Sequence, residues 1–184
     1  MVNRSGDALR IREERVRDLN DMFTSGQLKL DPSFQRGDVW DPWRRYALLD
    51  SVRSKFPLVI VIVKVTTRTV SSGGQQDIWE VIDGKQRLTT LFQYIQGTER
   101  WTRNEPPNRG EGFSRPWARF QDLSTEDVEQ ILSYEVPVAR LRDYSQQEVD
   151  EIFRRVQYGM TLTPGERLNS LRTNPNCVLG EQLN

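Results

Sequence analysis

Apolar residues recur along this chain at two spacings, and the changes between them divide it into elements. Leu9, Val16, Leu19 and Phe23 fall near one helical face that ends at Gly26, which predicts a first helix over about residues 8 to 25. Gln27 to Leu30 alternates like a short strand. Asp41-Pro42 pairs an N-cap residue with a proline suited to the first helical position. The helix it opens runs to about Lys55, with Trp43, Ala47, Leu48 and Val52 as its expected buried side. Leu58 to Val63 is a run of β-branched and aliphatic residues, read as a strand covered on both faces. Ser71-Ser72-Gly73-Gly74 then turns the chain into a returning strand at 76–82, so the glycine pair marks a hairpin tip and not a phosphate loop. That strand stops at Asp83-Gly84. A helical pattern begins at once, with Leu88, Leu91, Phe92 and Ile95 on one side and Gly97 just past its end.

Beyond Gly97 the pattern thins. Residues 98 to 119 are rich in Arg, Pro and Gly and read as an exposed loop. In it Trp101, Phe113 and Trp117 alternate with arginines. Such interleaving suits stacking on bases and gripping phosphates, and it equally suits a solvated loop whose tryptophans pack back on the body. A capped helix at Ser124–Leu132, a strand at Tyr134–Leu141 and a helix opened by the capping box Ser145-Gln146-Gln147-Glu148 follow. Thr163-Pro164-Gly165-Glu166 opens a last helix in the same way. After Asn174-Pro175 the pattern fades. The expected division is one domain over 1–174, followed by a tail, or the start of a missing C-terminal region, at 175–184.

Composition mainly removes possibilities. The 184 residues carry 26 basic and 26 acidic groups, so the net charge is zero and the whole molecule does not read as a nonspecific DNA binder. There is no histidine and one cysteine, Cys177. Ser-His-Asp triads, Cys-His dyads, histidine-metal nuclease sites and zinc clusters are thereby excluded. A metal, if used, is a hard cation held by carboxylate and phosphate, as Mg²⁺ is. No apolar run approaches the roughly 18 residues of a membrane span, so no membrane partner is expected. A lone cysteine fits a reducing, cytoplasmic setting. Only Lys29, Lys55, Lys64 and Lys85 are lysines. The arginine excess suits bidentate phosphate contacts, or simply reflects a GC-rich genome.

The strand-to-helix junction holds the most chemistry. It delivers Asp83, Lys85, Gln86 and Arg87 to a helix N-terminus, where free N–H groups and the dipole favour an anion. The same residues also read as plain capping. Asp83 is a good N-cap, Gln86 completes a capping-box-like arrangement, and Gly84 eases the turn. Capping explains Arg87 least, because a cation in the first turn opposes the dipole unless an acid or a phosphate answers it.

Three blocks in order resemble a known family. Phe34-Gln35-Arg36 with Val39-Trp40 comes first, then Asp83-Gly84-Lys85-Gln86-Arg87-Leu88-Thr89-Thr90. The third is Ile152-Phe153-Arg154-Arg155-Val156-Gln157-Tyr158-Gly159, followed by Leu162-Thr163-Pro164-Gly165-Glu166. Together they look like the DGQQR-motif domain of GmrSD-type restriction systems, a branch of the ParB/sulfiredoxin-like superfamily. Lys85 replaces the first glutamine of DGQQR, and Gln157-Tyr158-Gly159-Met160 replaces the family's N-x-G-G. The sulfiredoxin branch needs a motif cysteine, and Cys177 lies far from the motif.

The resemblance implies an α+β fold, a small mixed sheet wrapped by helices. It implies a bacterial anti-phage protein that binds and hydrolyses a nucleoside triphosphate with Mg²⁺. Asp83, Gln86 and Arg87 are then the expected catalytic residues, with Asp83 also the metal ligand. Gln35, Arg36, Gly84, Lys85 and Thr89 are the expected binding residues. Arg87 and Lys85 would hold phosphate oxygens while Arg36 clamps from the opposite wall, and Gln86 would bind phosphate or position the attacking water. Trp40 is expected to pack the N-terminal block. Expected partners are modified DNA and an HNH-type nuclease, on a partner chain or a missing C-terminal domain; a homo-oligomer is compatible. Two other readings stay open. One is a non-enzymatic DNA- or partner-binding module that uses the motif as an anion site. The other is a DNA nuclease in its own right, built from acids that are distant in sequence.

Overall fold

The sheet is assembled from strands far apart in sequence. A computed structural model describes residues 8–30, 40–69, 73–98 and 118–159. Its strands are β1 (Leu9–Arg15), β2 (Leu28–Lys29), β3 (Val61–Thr69), β4 (Gln75–Asp83) and β5 (Glu135–Arg142). The helices are α1 (Val16–Thr24), α2 (Pro42–Arg53), α3 (Lys85–Gln96), α4 (Thr125–Leu132) and α5 (Gln146–Gly159), with a 3-10 turn at Phe120–Asp122. The five strands form one sheet in the order β1-β5-β3-β4-β2. β3 and β4 are an antiparallel hairpin, β5 runs parallel to β3, β1 is antiparallel to β5, and β2 is parallel to β4. This is an α+β fold with a mixed sheet.

The chain divides into a unit ending at Tyr144, which holds the sheet and α1 to α4, and a second unit from Ser145 that holds α5. In the first unit, alternate positions of β3, β4 and β5 (Val61, Val63, Val65, Trp79, Val81, Val136, Val138) join Leu19 of α1, Leu49 and Val52 of α2, Leu88, Leu91 and Phe92 of α3 and Ile131 of α4 in one core. Full burial of each such side chain contributes roughly 1.5–3 kcal/mol. Phe23 stacks on Phe92 with ring centroids 4.9 Å apart, and Tyr94 meets Phe120 edge-on at 5.7 Å. In the second unit the Ser145 backbone N–H and hydroxyl both bond the Glu148 carboxylate, which is the capping box expected there.

Three expectations need correction. The helix expected over about 8 to 25 is β1 followed by α1. Leu9 to Arg15 pairs residue by residue with β5, and the helix starts only at Val16, whose N–H donates to the Tyr134 carbonyl at 2.9 Å. The strand expected at 58–63 begins at Val61 and continues to Thr69, because the carbonyls of Val59 and Ile60 are used otherwise, as the site shows. On α2 the buried residues are Tyr46, Leu48, Leu49 and Val52, while Trp43 and Ala47 are half-buried. Gln35, Arg36, most of the 98–119 loop, the helix expected at Thr163 and Cys177 lie outside the described residues.

Candidate functional site

β4 ends in a register shift. Ile62 pairs with Asp83 and Val63 with Val81, so Ile82 is the extra residue on the β4 side. Bulges of this kind re-aim the side chain that follows, and here that residue is Asp83. Gly84 then turns the chain with φ 95°, in the left-handed region, and is the N-cap of α3. A Cβ at this position would lie 2.8 Å from Val61 Cγ2 and 3.0 Å from Arg87 Nη2, so both the turn and the close packing require glycine. Gly84, and not Asp83, is therefore the cap. It has no side-chain acceptor for the first-turn N–H groups.

The Asp83 carboxylate is engaged with Arg87. Its Oδ2 accepts from Arg87 Nη2 at 2.8 Å, from strand end to first helical turn. Arg87 Nη1 donates to the Val59 carbonyl at 2.9 Å and Nη2 to the Ile60 carbonyl at 3.1 Å. The arginine is only 9% exposed. Burial pulls its pKa down, and the Asp83 charge and hydrogen bond push it back up; a guanidinium keeps its proton in either case. One buried cation thus ties the approach to β3, the end of β4 and the start of α3. It answers the dipole problem with an acid from the same chain.

Lys85 and Gln86 stand beside Arg87 at the helix start, both half-buried, with no acid in the first turn. Thr89 is half-buried one turn on, and Thr90 is buried. Trp40 is partly buried and packs against the core; the N-terminal block it was expected to pack lies outside the described residues. Among the described residues no group of three or more His, Cys, Asp or Glu stands together as a metal cage. A Mg²⁺ here would take one protein oxygen, Asp83 Oδ1, and complete its shell with phosphate and water, which is the usual mode for this ion.

The opposite end of β4 holds an open polar depression of about 540 Å³ lined by Gln27, Gln75, Gln76, Thr67, Asp77 and Arg142, among others. Thr67 Oγ1 donates to Asp77 Oδ1 at 2.7 Å, and Arg142 pairs with Asp77, holding that carboxyl below its ordinary range. Beside it the Arg140 guanidinium lies 4.2 Å from the Trp79 ring centroid. Sequence reasoning missed this cluster. Thr67 and Asp77 meet only through the hairpin register, and Arg142 arrives from a strand 65 residues further on.

With this geometry in view, the comparisons identify a family. The model of "GmrSD restriction endonuclease, N-terminal domain" matches residues 19–172. No curated protein matches the chain.

Proposed function

The chain belongs to the GmrSD restriction endonuclease N-terminal domain family, and from that premise we propose that it is the nucleotide-binding, nucleotide-hydrolysing module of a bacterial restriction system. The observation that carries the reading is the start of α3. Its N-cap is a glycine without a side-chain cap, and its first turn has two cations and no acid. The first-turn N–H groups have no side-chain cap, and with Lys85 beside them they favour an anion. A triphosphate supplies that charge.

Lys85 and Gln86 contact phosphate oxygens, with Gln35 and Arg36 of the N-terminal block and Thr89 completing the pocket. Asp83 and Arg87 position the loop. Asp83 Oδ1 would serve Mg²⁺ or an attacking water. When bound, the metal would neutralise charge on the phosphate being transferred. A nuclease, on the same or another chain, and modified DNA are the partners this reading implies. No helix among the described residues is long and apolar enough to cross a membrane.

The test is ligand-linked stability. At about 100 times Kd, a nucleoside triphosphate with Mg²⁺ should stabilise the protein by roughly 2.7 kcal/mol, on the order of 5–10 °C in Tm for a domain of this size. No shift with any of ATP, GTP, CTP or UTP at millimolar concentration sinks the site. A second reading, a non-catalytic anion site, is favoured by one observation: the Asp83 carboxylate is half-committed to Arg87. Binding without turnover, unchanged in Asp83→Asn, would select it.

A further inference from the structure

The two edges of the sheet are built differently. β2 is two residues long and carries Lys29, a short and charged edge of the sort that resists pairing. β1 is seven residues long and nearly all exposed, with Leu9 at 51% and Ile11 at 63%. Among the described residues, no strand pairs with its outer side.

Register says which groups face outward. Arg142 N–H donates to the Ala8 carbonyl, directly opposite. Hydrogen-bonded and non-hydrogen-bonded pairs alternate along an antiparallel ladder. Residues 10, 12 and 14 therefore bond inward to β5, and Leu9, Ile11, Glu13 and Arg15 turn their N–H and C=O groups outward. The charges are also ordered on the face of the even positions, where Arg10 and Arg12 precede Glu14; on the other face Glu13 and Arg15 follow Leu9 and Ile11.

We propose that β1 pairs antiparallel, across a two-fold axis at Arg12, with β1 of a second copy of this chain, joining two sheets into one. In that register Leu9 bonds Arg15 of the partner subunit, Ile11 bonds Glu13 of the partner subunit, and every outward-facing residue is used. Arg10 stands opposite Glu14 of the partner subunit, twice over by symmetry. The like pair at the axis, Arg12 with Arg12 of the partner subunit, has both Glu14 carboxylates as diagonal neighbours. The occupant is argued from this charge order. Antiparallel self-pairing sets Arg10 of each copy against Glu14 of the other, and a two-fold interface of this kind closes instead of propagating. Within one chain, Arg140 sits among Arg10, Arg12 and Arg142, which together with burial lower its pKa, and Glu14 is its ion-pair partner. The second Arg10 adds a cation on the far side of Glu14. The exposed Leu9 and Ile11 are covered by the aliphatic stems of Arg15 and Glu13 of the partner subunit.

Sedimentation velocity on the 184-residue chain tests this. The expected result is a reversible dimer at or below about 100 µM. Glu13→Pro deletes an outward N–H that the fold does not use and should give a monomer with an unchanged far-UV spectrum. Arg10→Glu places acid against acid twice and should weaken the dimer about tenfold or more. Arg10→Glu/Glu14→Arg restores the order and should recover the dimer, a readout that stands even if Glu13→Pro does not fold. A wild-type monomer at that concentration overturns the proposal. So does a folded Glu13→Pro that still dimerises, or a charge swap that recovers nothing.

Discussion

Helices α2 and α3 are each twelve residues long and lie on the same core, yet they begin in opposite ways. Asp41 caps α2 through Oδ1, which accepts from the Arg44 N–H at 2.9 Å, and Pro42 takes a position where no N–H is missed. The negative charge sits where the dipole favours it. α3 begins with a left-handed glycine and Lys85-Gln86-Arg87. Its stabilising acid, Asp83, lies before the cap and reaches past it to a buried arginine. The start of α2 is locally complete. The start of α3 is held from beneath, which keeps its N–H groups clear of side-chain caps. That difference separates a structural helix end from a candidate binding site.

The comparison breaks most easily at Arg87. Arg87→Leu leaves Asp83 and two backbone carbonyls without their donor, and should cost about 3 kcal/mol in urea unfolding. A loss below about 1 kcal/mol would mean that the arginine does not support the loop and is available to ligand. Next in size is the anchor at the far end of α3. The Tyr94 hydroxyl donates to the Ala118 carbonyl at 2.8 Å, and burial pushes its pKa up to about 12. A raised acid pKa favours the protonated form in the fold. The contribution is therefore complete below about pH 10 and is lost as pH rises through the folded value. Between those limits the wild type should lose roughly 2–3 kcal/mol more than Tyr94→Phe. Parallel stability–pH curves for the two proteins would dismiss it.

A smaller effect is expected at α2. Asp41→Ala should cost about 1 kcal/mol and leave nucleotide binding untouched; a binding defect there would contradict the division of labour between the two helices. The smallest change in stability is expected for Lys85→Gln. It removes a cation from the positive end of a dipole, so stability should move by no more than about 0.5 kcal/mol. Triphosphate affinity should fall about tenfold. Unchanged affinity would take Lys85 out of the site.

Most elements could be read from periodicity, because α3, α4, α5 and the β3–β4 hairpin are specified by near neighbours and caps. β1 could not. Leu9-Arg10-Ile11-Arg12 alternates, but this short signal runs into the helical face of Val16, Leu19 and Phe23, and its partners, Leu141 and Ala139, are more than a hundred residues away. On α2 the apolar residues, Trp43, Tyr46, Ala47, Leu48, Leu49 and Val52, go round the helix without a clear stripe, so Tyr46 and Leu49 were missed. Spacing placed Asp83, Gly84, Lys85, Gln86 and Arg87 at the junction of a strand and a helix, where β4 ends and α3 begins. It could not reveal that Arg87 turns inward, since the acceptors at Val59 and Ile60 are carbonyls that any residue would supply.

The pairing of β1 with β5 also sets an order of events during synthesis. Glu14 and Arg140, which join the two strands, are 126 residues apart. At roughly 5–20 residues per second, the first strand leaves the ribosome about 6–25 s before its partner exists. The hairpin of β3 and β4, with α3 behind it, has everything it needs much earlier. Contacts of such long separation are slow to close, so the sheet grows outward from its hairpin, and β1, though made before it, finds its place later.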